Sequence, residues 1–188
     1  MEIPINSELK LIGAHPRYAE EMFKNIDEHR SDLEQWLPWV PNIRSAEAER
    51  VFLRDAARFN AGGQSLTVLL KYRGQIAGSL AFVKIDKLHA HAEMGYMLFP
   101  PFRGKGLMTQ ACRSLIAHGF GFTNTPKKGS TLERVYALIE PENKPSLALA
   151  KRLGFQREGL LRKHYRRGDT LRDVVCMGLL KEEFRSGQ

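Results

Sequence analysis

The stretch that most constrains this chain covers residues 93–111, with the sequence EMGYMLFPPFRGKGLMTQA. It begins as an apolar run typical of a strand, is stopped by two prolines, and continues as a helical pattern from Leu107. Gly104 and Gly106 lie between strand and helix, so the backbone there can approach a bound group without Cβ contact. The first N–H groups of a helix have no partner within it and carry the positive end of its dipole. Strand, glycine turn and helix together predict a phosphate cradle.

Two common phosphate motifs do not fit this turn. A Walker loop needs serine or threonine directly after the lysine, whereas Lys105 is followed by glycine. A dinucleotide fingerprint needs a third glycine at the position of Thr109. A short Arg-Gly-x-Gly turn remains, in which Arg103 and Lys105 would add full positive charges. The glycine pair alone is also compatible with an ordinary turn.

Apolar periodicity predicts the order strand, two helices, three strands, helix, strand, helix and two strands. The predicted strands cover residues 1–13, 65–72, 75–84, 89–98, 133–140, 155–161 and 173–180, and the predicted helices cover residues 16–27, 46–60, 107–120 and 146–153. A helix crosses between the strands that end at Leu98 and Glu140, so these two strands are expected to be parallel. The prediction is one mixed α/β domain over residues 1–188, with four helices around a mostly antiparallel sheet of seven strands.

Composition excludes several classes of protein. No apolar run approaches the roughly 20 residues that a membrane span needs, and the first five residues lack the features of a signal peptide. The two cysteines, Cys112 and Cys176, match no metal site, so we expect no metal and a cytoplasmic location. The formal net charge of +8 fits either affinity for a polyanion such as RNA or a site for an acidic small molecule.

The glycine turn and a second signature together resemble the GNAT N-acetyltransferases. Residues 93–111 are similar to motif A of that family, whose turn reads Gln/Arg-x-x-Gly-x-Gly/Ala, although Pro101 stands at its first place. Residues 140–155, EPENKPSLALAKRLGF, resemble motif B through Asn-x-x-Ser, an alanine-rich helix and Leu-Gly-Phe. Trp-Leu-Pro-Trp, Glu-Met-Gly-Tyr and the ending Val-Val-Cys-Met-Gly-Leu-Leu-Lys extend the resemblance over nearly the whole chain. They point to the RimJ/RimL branch, which is similar to ribosomal-protein N-terminal acetyltransferases.

This resemblance implies that acetyl-CoA binds between two splayed parallel strands, with the pantetheine arm on backbone groups of Met97 and Phe99. The residues expected to bind the coenzyme are Met97, Leu98, Phe99, Arg103, Gly104, Lys105, Gly106, Leu107, Met108, Thr109 and Asn143. Asn143 has an alternative role as a turn residue before Pro145. The acceptor would be an amine, with a protein N-terminus as one candidate, and no membrane or direct nucleic-acid partner is expected. The chain would be a monomer or a homodimer.

Acetyl transfer needs a group that takes the proton of the attacking amine and a group that protonates the leaving thiolate. Glu93 is the candidate base, since it lies on the less apolar face of its strand; a cross-strand salt bridge and a base acting through ordered water are the alternatives. Many family members use a tyrosine on the motif B helix as the acid, but its place here is Ala150. The ribosomal branch is proposed to use a serine that matches Ser146, whose alternative role is to satisfy backbone N–H groups.

Both tryptophans, Trp36 and Trp39, fall in one segment between two predicted helices. They either pack on the core or form a wall of the substrate pocket, because loops commonly carry binding sites. With residues 122–132 and 161–170, this segment would select the acceptor. The alternative function is a non-catalytic module that binds acyl-CoA, ribosomes or RNA on the same fold. The glycine turn and Asn143 argue against RNA binding alone, which needs none of them.

Overall fold

The computed structural model describes residues 1–122 and 131–186. The strands there are β1 (Glu2–Pro4), β2 (Leu9–Gly13), β3 (Leu66–Tyr72), β4 (Gln75–Asp86), β5 (His91–Leu98), β6 (Arg134–Ile139), β7 (Gln156–Arg167) and β8 (Thr170–Leu180). The α-helices there are α1 (Ala19–Glu28), α2 (Arg30–Glu34), α3 (Ala46–Gly62), α4 (Leu107–Phe120), α5 (Lys144–Arg152) and α6 (Lys181–Ser186). The strands form one sheet in the order β1-β2-β3-β4-β5-β6-β8-β7. None of the described helices combines the length and the apolar character that crossing a membrane requires.

The mixed α/β class with one parallel pair is confirmed, but the count of seven strands is wrong. The described residues contain eight strands, because residues 1–13 form a hairpin of β1 and β2 instead of one strand. Asn6 interrupts that run: its Oδ1 accepts hydrogen bonds from the N–H groups of Glu8 and Leu9, both at 2.9 Å. A short polar side chain that bonds to nearby backbone favours a turn.

The described residues contain six α-helices instead of the predicted four. The two additional helices, α2 and α6, have only five and six residues. Helices this short are too brief to show a recognisable repeat. The other four agree with the predicted ones, and α4 begins and ends at the predicted residues. Ser45 caps α3 as expected, since its Oγ accepts from the N–H of Ala48 at 3.1 Å.

The basic segment 162–169 is not a separate connection. Most of it extends β7, and β7 and β8 form one long hairpin that turns at Gly168 and Asp169. The pairing register shifts between Leu161 and Tyr165, which marks a bulge. Because β7 is an edge strand with mostly exposed side chains, its sequence lacks the alternation that identifies a strand.

The parallel pair β5 and β6 opens into a cleft. The two strands pair through three positions only, the last of them Glu93 with Tyr136. Beyond that point β5 continues to Leu98 and β6 to Ile139 without pairing to each other. The expected splayed pair is therefore present, and Glu93 lies where the strands begin to separate.

Each face of the sheet has its own apolar core. The cluster that includes Met94 and Leu115 packs α4 and α5 on one face. The cluster that includes Leu53 and Met97 packs α1 and α3 on the other. Because neighbouring residues of a strand point to opposite faces, each side chain of β5 near the cleft belongs to one of these two faces.

Candidate active site

The turn before α4 has the geometry of an anion site. Gly104 and Gly106 have φ values of 75° and 70°, and a Cβ added to either would meet no atom within 4 Å. α4 begins at Leu107, directly after Gly106, without a hydrogen bond from a capping side chain and without an acidic residue in its first turn. The N–H groups that open α4 are therefore not occupied by a capping carboxylate or hydroxyl, which is the arrangement that binds phosphate.

The charged side chains of this turn are engaged by the protein. Arg103 donates from Nη1 to Asp32 Oδ1 at 3.0 Å and from Nε to the carbonyl of Leu98 at 3.3 Å. The hydrogen bond from Arg103 holds the pKa of the Asp32 carboxyl below its usual value. Lys105 donates from Nζ to the carbonyl of Pro101 at 3.1 Å. The hydrogen-bond donors of the turn that stay free for a ligand are therefore mainly backbone N–H groups, and not the side chains of Arg103 and Lys105.

A further cation reaches this helix start from α5. Arg152 donates from Nη1 to Thr109 Oγ1 at 3.2 Å, which joins the end of α5 to the first turn of α4. Arg152 was not among the residues expected to bind the coenzyme. Its position in the last turn of the motif B helix could have indicated a role in binding, but a basic residue at a helix C-terminus is also common because it interacts favourably with the helix dipole.

The backbone of β5 presents different groups to the cleft from those expected. Phe99 donates its N–H to the carbonyl of Ala77 at 2.9 Å, so this donor is occupied within the sheet. Hydrogen-bonded and non-bonded pairs alternate along an antiparallel ladder, so Met97 also directs its backbone groups towards β4. The groups of Tyr96 and Leu98 face the open side instead. The assignment of the pantetheine arm to Met97 and Phe99 stays a prediction, and the open backbone groups of the strand favour Tyr96 and Leu98 for this role.

Ser146 lies against Tyr96 on the α4–α5 face of the sheet. The two hydroxyl oxygens are 2.7 Å apart. Burial raises the pKa of Tyr96, and its hydrogen bond with Ser146 opposes that rise. The N–H of Ser146 is donated to Asn143 Oδ1 at 3.2 Å, so Asn143 caps α5. The Ser146 hydroxyl is thus paired with a phenol and not with backbone N–H groups.

Glu93 lies on the opposite face of the sheet from Tyr96, since the two are an odd number of residues apart. Tyr165 donates its hydroxyl to Glu93 Oε1 at 3.3 Å. Burial and the Glu93 charge both raise the pKa of Tyr165, and the same two causes raise the pKa of Tyr136. The ion pairs formed within residues 1–122 and 131–186 do not include Glu93. This argues against the salt-bridge interpretation.

Trp36 packs against the β7–β8 hairpin. The guanidinium of Arg167 lies 5.6 Å from the centre of the Trp36 ring, and the same guanidinium forms an ion pair with Glu140. Glu140 is 8% exposed, so this carboxylate is buried and neutralised at the end of β6. The β7–β8 hairpin therefore meets the tryptophan segment next to the end of β6.

Trp39 packs elsewhere. Its ring stacks on Phe52 of α3, with ring centres 6.5 Å apart and planes 6° from parallel. Arg30 fixes the intervening chain by donating to the carbonyls of Val40 and Ile43 at 2.9 and 2.8 Å. The two tryptophans thus have different surroundings. Residues 123–130, the central part of the second expected acceptor loop, lie outside the described residues.

Comparison with known proteins identifies the family. The model of the acetyltransferase (GNAT) domain matches residues 8–156. The chain belongs to the GNAT acetyltransferase family. The GNAT domain has no group of three or more His, Cys, Asp or Glu residues placed to hold a metal ion, as far as residues 1–122 and 131–186 are concerned.

Individual proteins that are similar to this GNAT domain are named acetyltransferases. It is 29% identical over 181 residues to the putative ribosomal N-acetyltransferase YdaF of Bacillus subtilis (strain 168), covering 96% of this chain and 95% of that protein. It is 24% identical to the ribosomal-protein-serine acetyltransferase of Escherichia coli (strain K12), covering 92% of each. A crystal structure of the microcin C7 self-immunity acetyltransferase MccE with acetyl-CoA and AMP superposes with a TM-score of 0.88 at 27% identity, covering 95% of each chain. The resemblance to the RimJ/RimL-like branch is confirmed.

The residues expected to form the site fall into two groups in this GNAT domain. The turn residues, Ser146 and Asn143 lie at the starts of α4 and α5, on the side of the sheet where Ser146 meets Tyr96. Glu93 and Trp36 belong to the other face and meet the β7–β8 hairpin. Sequence reasoning missed Tyr96, Tyr136, Glu140, Arg152, Tyr165 and Arg167. Tyr96 stands within the Glu-Met-Gly-Tyr motif, whereas the partners on the hairpin carry no local signal.

Proposed function

We propose that this GNAT domain transfers the acetyl group of acetyl-CoA to the N-terminal amine of a protein. The observation that carries the proposal is the start of α4, which opens behind two left-handed glycines and has neither a capping side chain nor a first-turn acid. The pyrophosphate of acetyl-CoA would bind these N–H groups, with Arg152 close by. The binding of acetyl-CoA by the similar MccE supports this assignment.

Glu93 is the proposed base because its carboxylate remains available. Of the two carboxylates near the acceptor side, Glu140 is neutralised by Arg167, whereas Glu93 contacts the hydroxyl of Tyr165. Glu93 would accept the proton of the amine, directly or through one water, as the amine nitrogen attacks the thioester carbonyl. The tetrahedral intermediate then collapses, the carbon–sulfur bond breaks and the thiolate leaves.

Ser146 is the proposed donor of the proton that the thiolate takes up. Tyr96 would hold the Ser146 hydroxyl in place and replace its proton, since their oxygens are within hydrogen-bond distance. The acid and the base would thus act from opposite faces of the sheet, on either side of the opening between β5 and β6. This arrangement keeps the incoming amine and the departing thiolate apart.

A protein N-terminus suits this chemistry better than a lysine. An α-amine has a pKa of about 7.7–8.0 and a lysine amine about 10.4, so far more of the α-amine is neutral near pH 7. The names of YdaF and of the ribosomal-protein-serine acetyltransferase agree with this choice. Both described cysteines are free thiols, in agreement with the reducing cytoplasm proposed for the protein.

Calorimetric titration with acetyl-CoA tests the binding site. Gly104→Val should weaken binding by about tenfold or more, since a Cβ would enter the space that the phosphates need and several charge-assisted hydrogen bonds would be lost. Gly74→Val is the matched control, because Gly74 has a φ of 85° and an added Cβ there also meets nothing within 4 Å. Equal affinity in both variants would refute the phosphate assignment.

Turnover on peptides tests the acceptor. Peptides with a free N-terminus should be acetylated at that amine, whereas the same peptides with a blocked N-terminus and one lysine should react much more slowly. Mass spectrometry locates the acetyl group. Preferential modification of the lysine would overturn the acceptor assignment.

A further inference from the structure

The outer half of the β7–β8 hairpin carries a group of cations that the proposed reaction does not use. All are exposed, and none has a carboxylate within ion-pair distance among residues 1–122 and 131–186. These cations are Arg162, Lys163, Arg166 and Arg172. Two nearby acids are otherwise engaged, since Asp173 accepts the backbone N–H of Lys163 at 2.7 Å and Glu158 pairs with Arg134. The four cations outnumber the two aspartates of this half of the hairpin, Asp169 at the turn and Asp173, so the surface is net positive.

These cations lie next to the acceptor side of the cleft. Tyr165, which contacts Glu93, lies two residues after Lys163 and directly before Arg166. Arg167, the next residue, covers Trp36. Arg172 pairs with Tyr165 and shares its face, whereas Arg166 points to the opposite face of the hairpin. Two residues of strand span about 7 Å, so a chain whose amine reaches Glu93 would meet Arg172 first and reach the other cations by passing round the edge strand.

The bulge in β7 forms a depression beside the cations. It is shallow and open to solvent, has a volume of about 730 Å³, and is lined by Leu160, Leu161, Arg162, Lys163, His164 and Asp173. Leu160 and Leu161 are 43% and 39% exposed, so apolar surface adjoins the positive charge. A surface of this kind fits a ligand that combines carboxylates with apolar side chains.

We propose that this depression binds an acidic segment of the acceptor polypeptide, a few residues after the N-terminus that is acetylated. The inference rests on the proposed function and adds the class of acceptor: a protein whose N-terminal region is acidic. Complementary charge would raise the rate of encounter and select among otherwise similar N-termini.

Other occupants fit the surface less well. RNA without regular structure is bound by stacking of bases on several aromatic side chains. Here Tyr165 points to Glu93, so His164 is the aromatic ring that lines the depression, beside two leucines. A second copy of this chain would bring like charges together, and charged, bulged edge strands resist pairing with another strand.

The test uses two peptides that share their first four residues, one with glutamates at positions five to ten and the other with glutamines there. The full-length wild type should show a kcat/KM about tenfold higher for the acidic peptide at low salt, and this preference should shrink at high salt. The triple variant R162Q/K163Q/R166Q should lose the preference and keep its rate on the neutral peptide. R54Q/R58Q on α3 is the control, since it removes two exposed cations far along the chain from the hairpin.

Binding of the labelled acidic peptide, measured by fluorescence anisotropy with coenzyme A present, separates this inference from the proposed function. Charge-dependent binding that the triple variant loses supports the surface even without turnover. Equal use and equal binding of both peptides by the wild type overturn the inference and leave the proposed function standing. Tighter binding of a single-stranded RNA of equal charge, lost in the same variant, would overturn it in favour of a nucleic acid. Circular dichroism of each variant confirms that the fold is retained.

Discussion

On the α4 side of the cleft the groups open to a ligand are backbone N–H groups, held by a turn of consecutive residues with two left-handed glycines. On the hairpin side they are side chains from four separate segments: Trp36 before α3, Glu93 of β5, Tyr136 and Glu140 in and directly after β6, and Tyr165 of β7. A site made from a local turn depends on a few backbone angles. A site made from distant side chains depends on strand register and on the bulge in β7, so it can vary while the coenzyme side stays constant.

This difference predicts separate consequences for the two sides. Changes on the α4 side should alter use of acetyl-CoA with every acceptor, because each acceptor needs the same coenzyme. Changes on the hairpin side should alter the rate or the choice of acceptor and leave coenzyme affinity near normal. The following variants test this separation.

The largest effect is expected for Glu93→Gln, which keeps the shape of the side chain and removes its basicity. Loss of a general base lowers a rate by ~10²–10⁴-fold, so kcat should fall by this amount while acetyl-CoA affinity is retained. The acid limb of the pH–rate profile should change as well. Glu133→Gln is a control, since Glu133 is an exposed partner of Lys181. A wild-type kcat and pH profile in Glu93→Gln would show that water or the acceptor itself disposes of the proton.

A buried carboxyl on α3 should make the stability of the folded protein depend on pH. Glu49 is 1% exposed, neither of its carboxyl oxygens has a hydrogen-bond partner within the described residues, and burial raises its pKa from 4.5 to about 7. The folded state therefore retains a proton that the unfolded chain releases, so stability should fall as pH rises from about 4.5 to 7 and stay low above that. The shift corresponds to about 3 kcal/mol.

Glu49→Gln should therefore raise the free energy of unfolding by up to about 3 kcal/mol at pH 8 and change it little at pH 5. Urea denaturation at the two pH values measures this difference. Glu47→Gln, at an exposed position of the same helix, is the control. A gain in Glu49→Gln that is equal at both pH values would show that the carboxyl does not titrate differently in the folded and unfolded states.

Smaller effects are expected for the hydroxyl pair on the α4–α5 face. Ser146→Ala and Tyr96→Phe should each lower kcat by about tenfold, because coenzyme A is a fairly good leaving group and needs limited help. The double variant should be only slightly slower than either single one, since the two hydroxyls would act as one unit. Multiplied losses, measured in a double-mutant cycle, would mean that the two residues act independently.

The coenzyme side was largely predictable from sequence because its elements are consecutive in the chain. The strand, the glycines at 104 and 106 and helix α4 follow one another, so local patterns identify them. On the Glu93 side the sequence singled out only Glu93 and Trp36, whose roles stay predictions, since Tyr165 comes beside Glu93 through a register shift with no sequence signature. The hairpin β1–β2 was missed because a single asparagine makes its turn. The single domain over residues 1–188 stays a prediction.

The most direct test of the separation is to measure the KM for acetyl-CoA and the KM for a peptide in both Gly104→Val and Trp36→Ala. We expect Gly104→Val to raise the first by about tenfold and leave the second near normal. Trp36→Ala should raise the peptide KM several-fold through loss of its contact with Arg167 and leave the acetyl-CoA value unchanged. Trp39→Ala, whose ring packs on Phe52, should lower the melting temperature without either change. Equal shifts of both constants in both variants would contradict the account of two independently built sides.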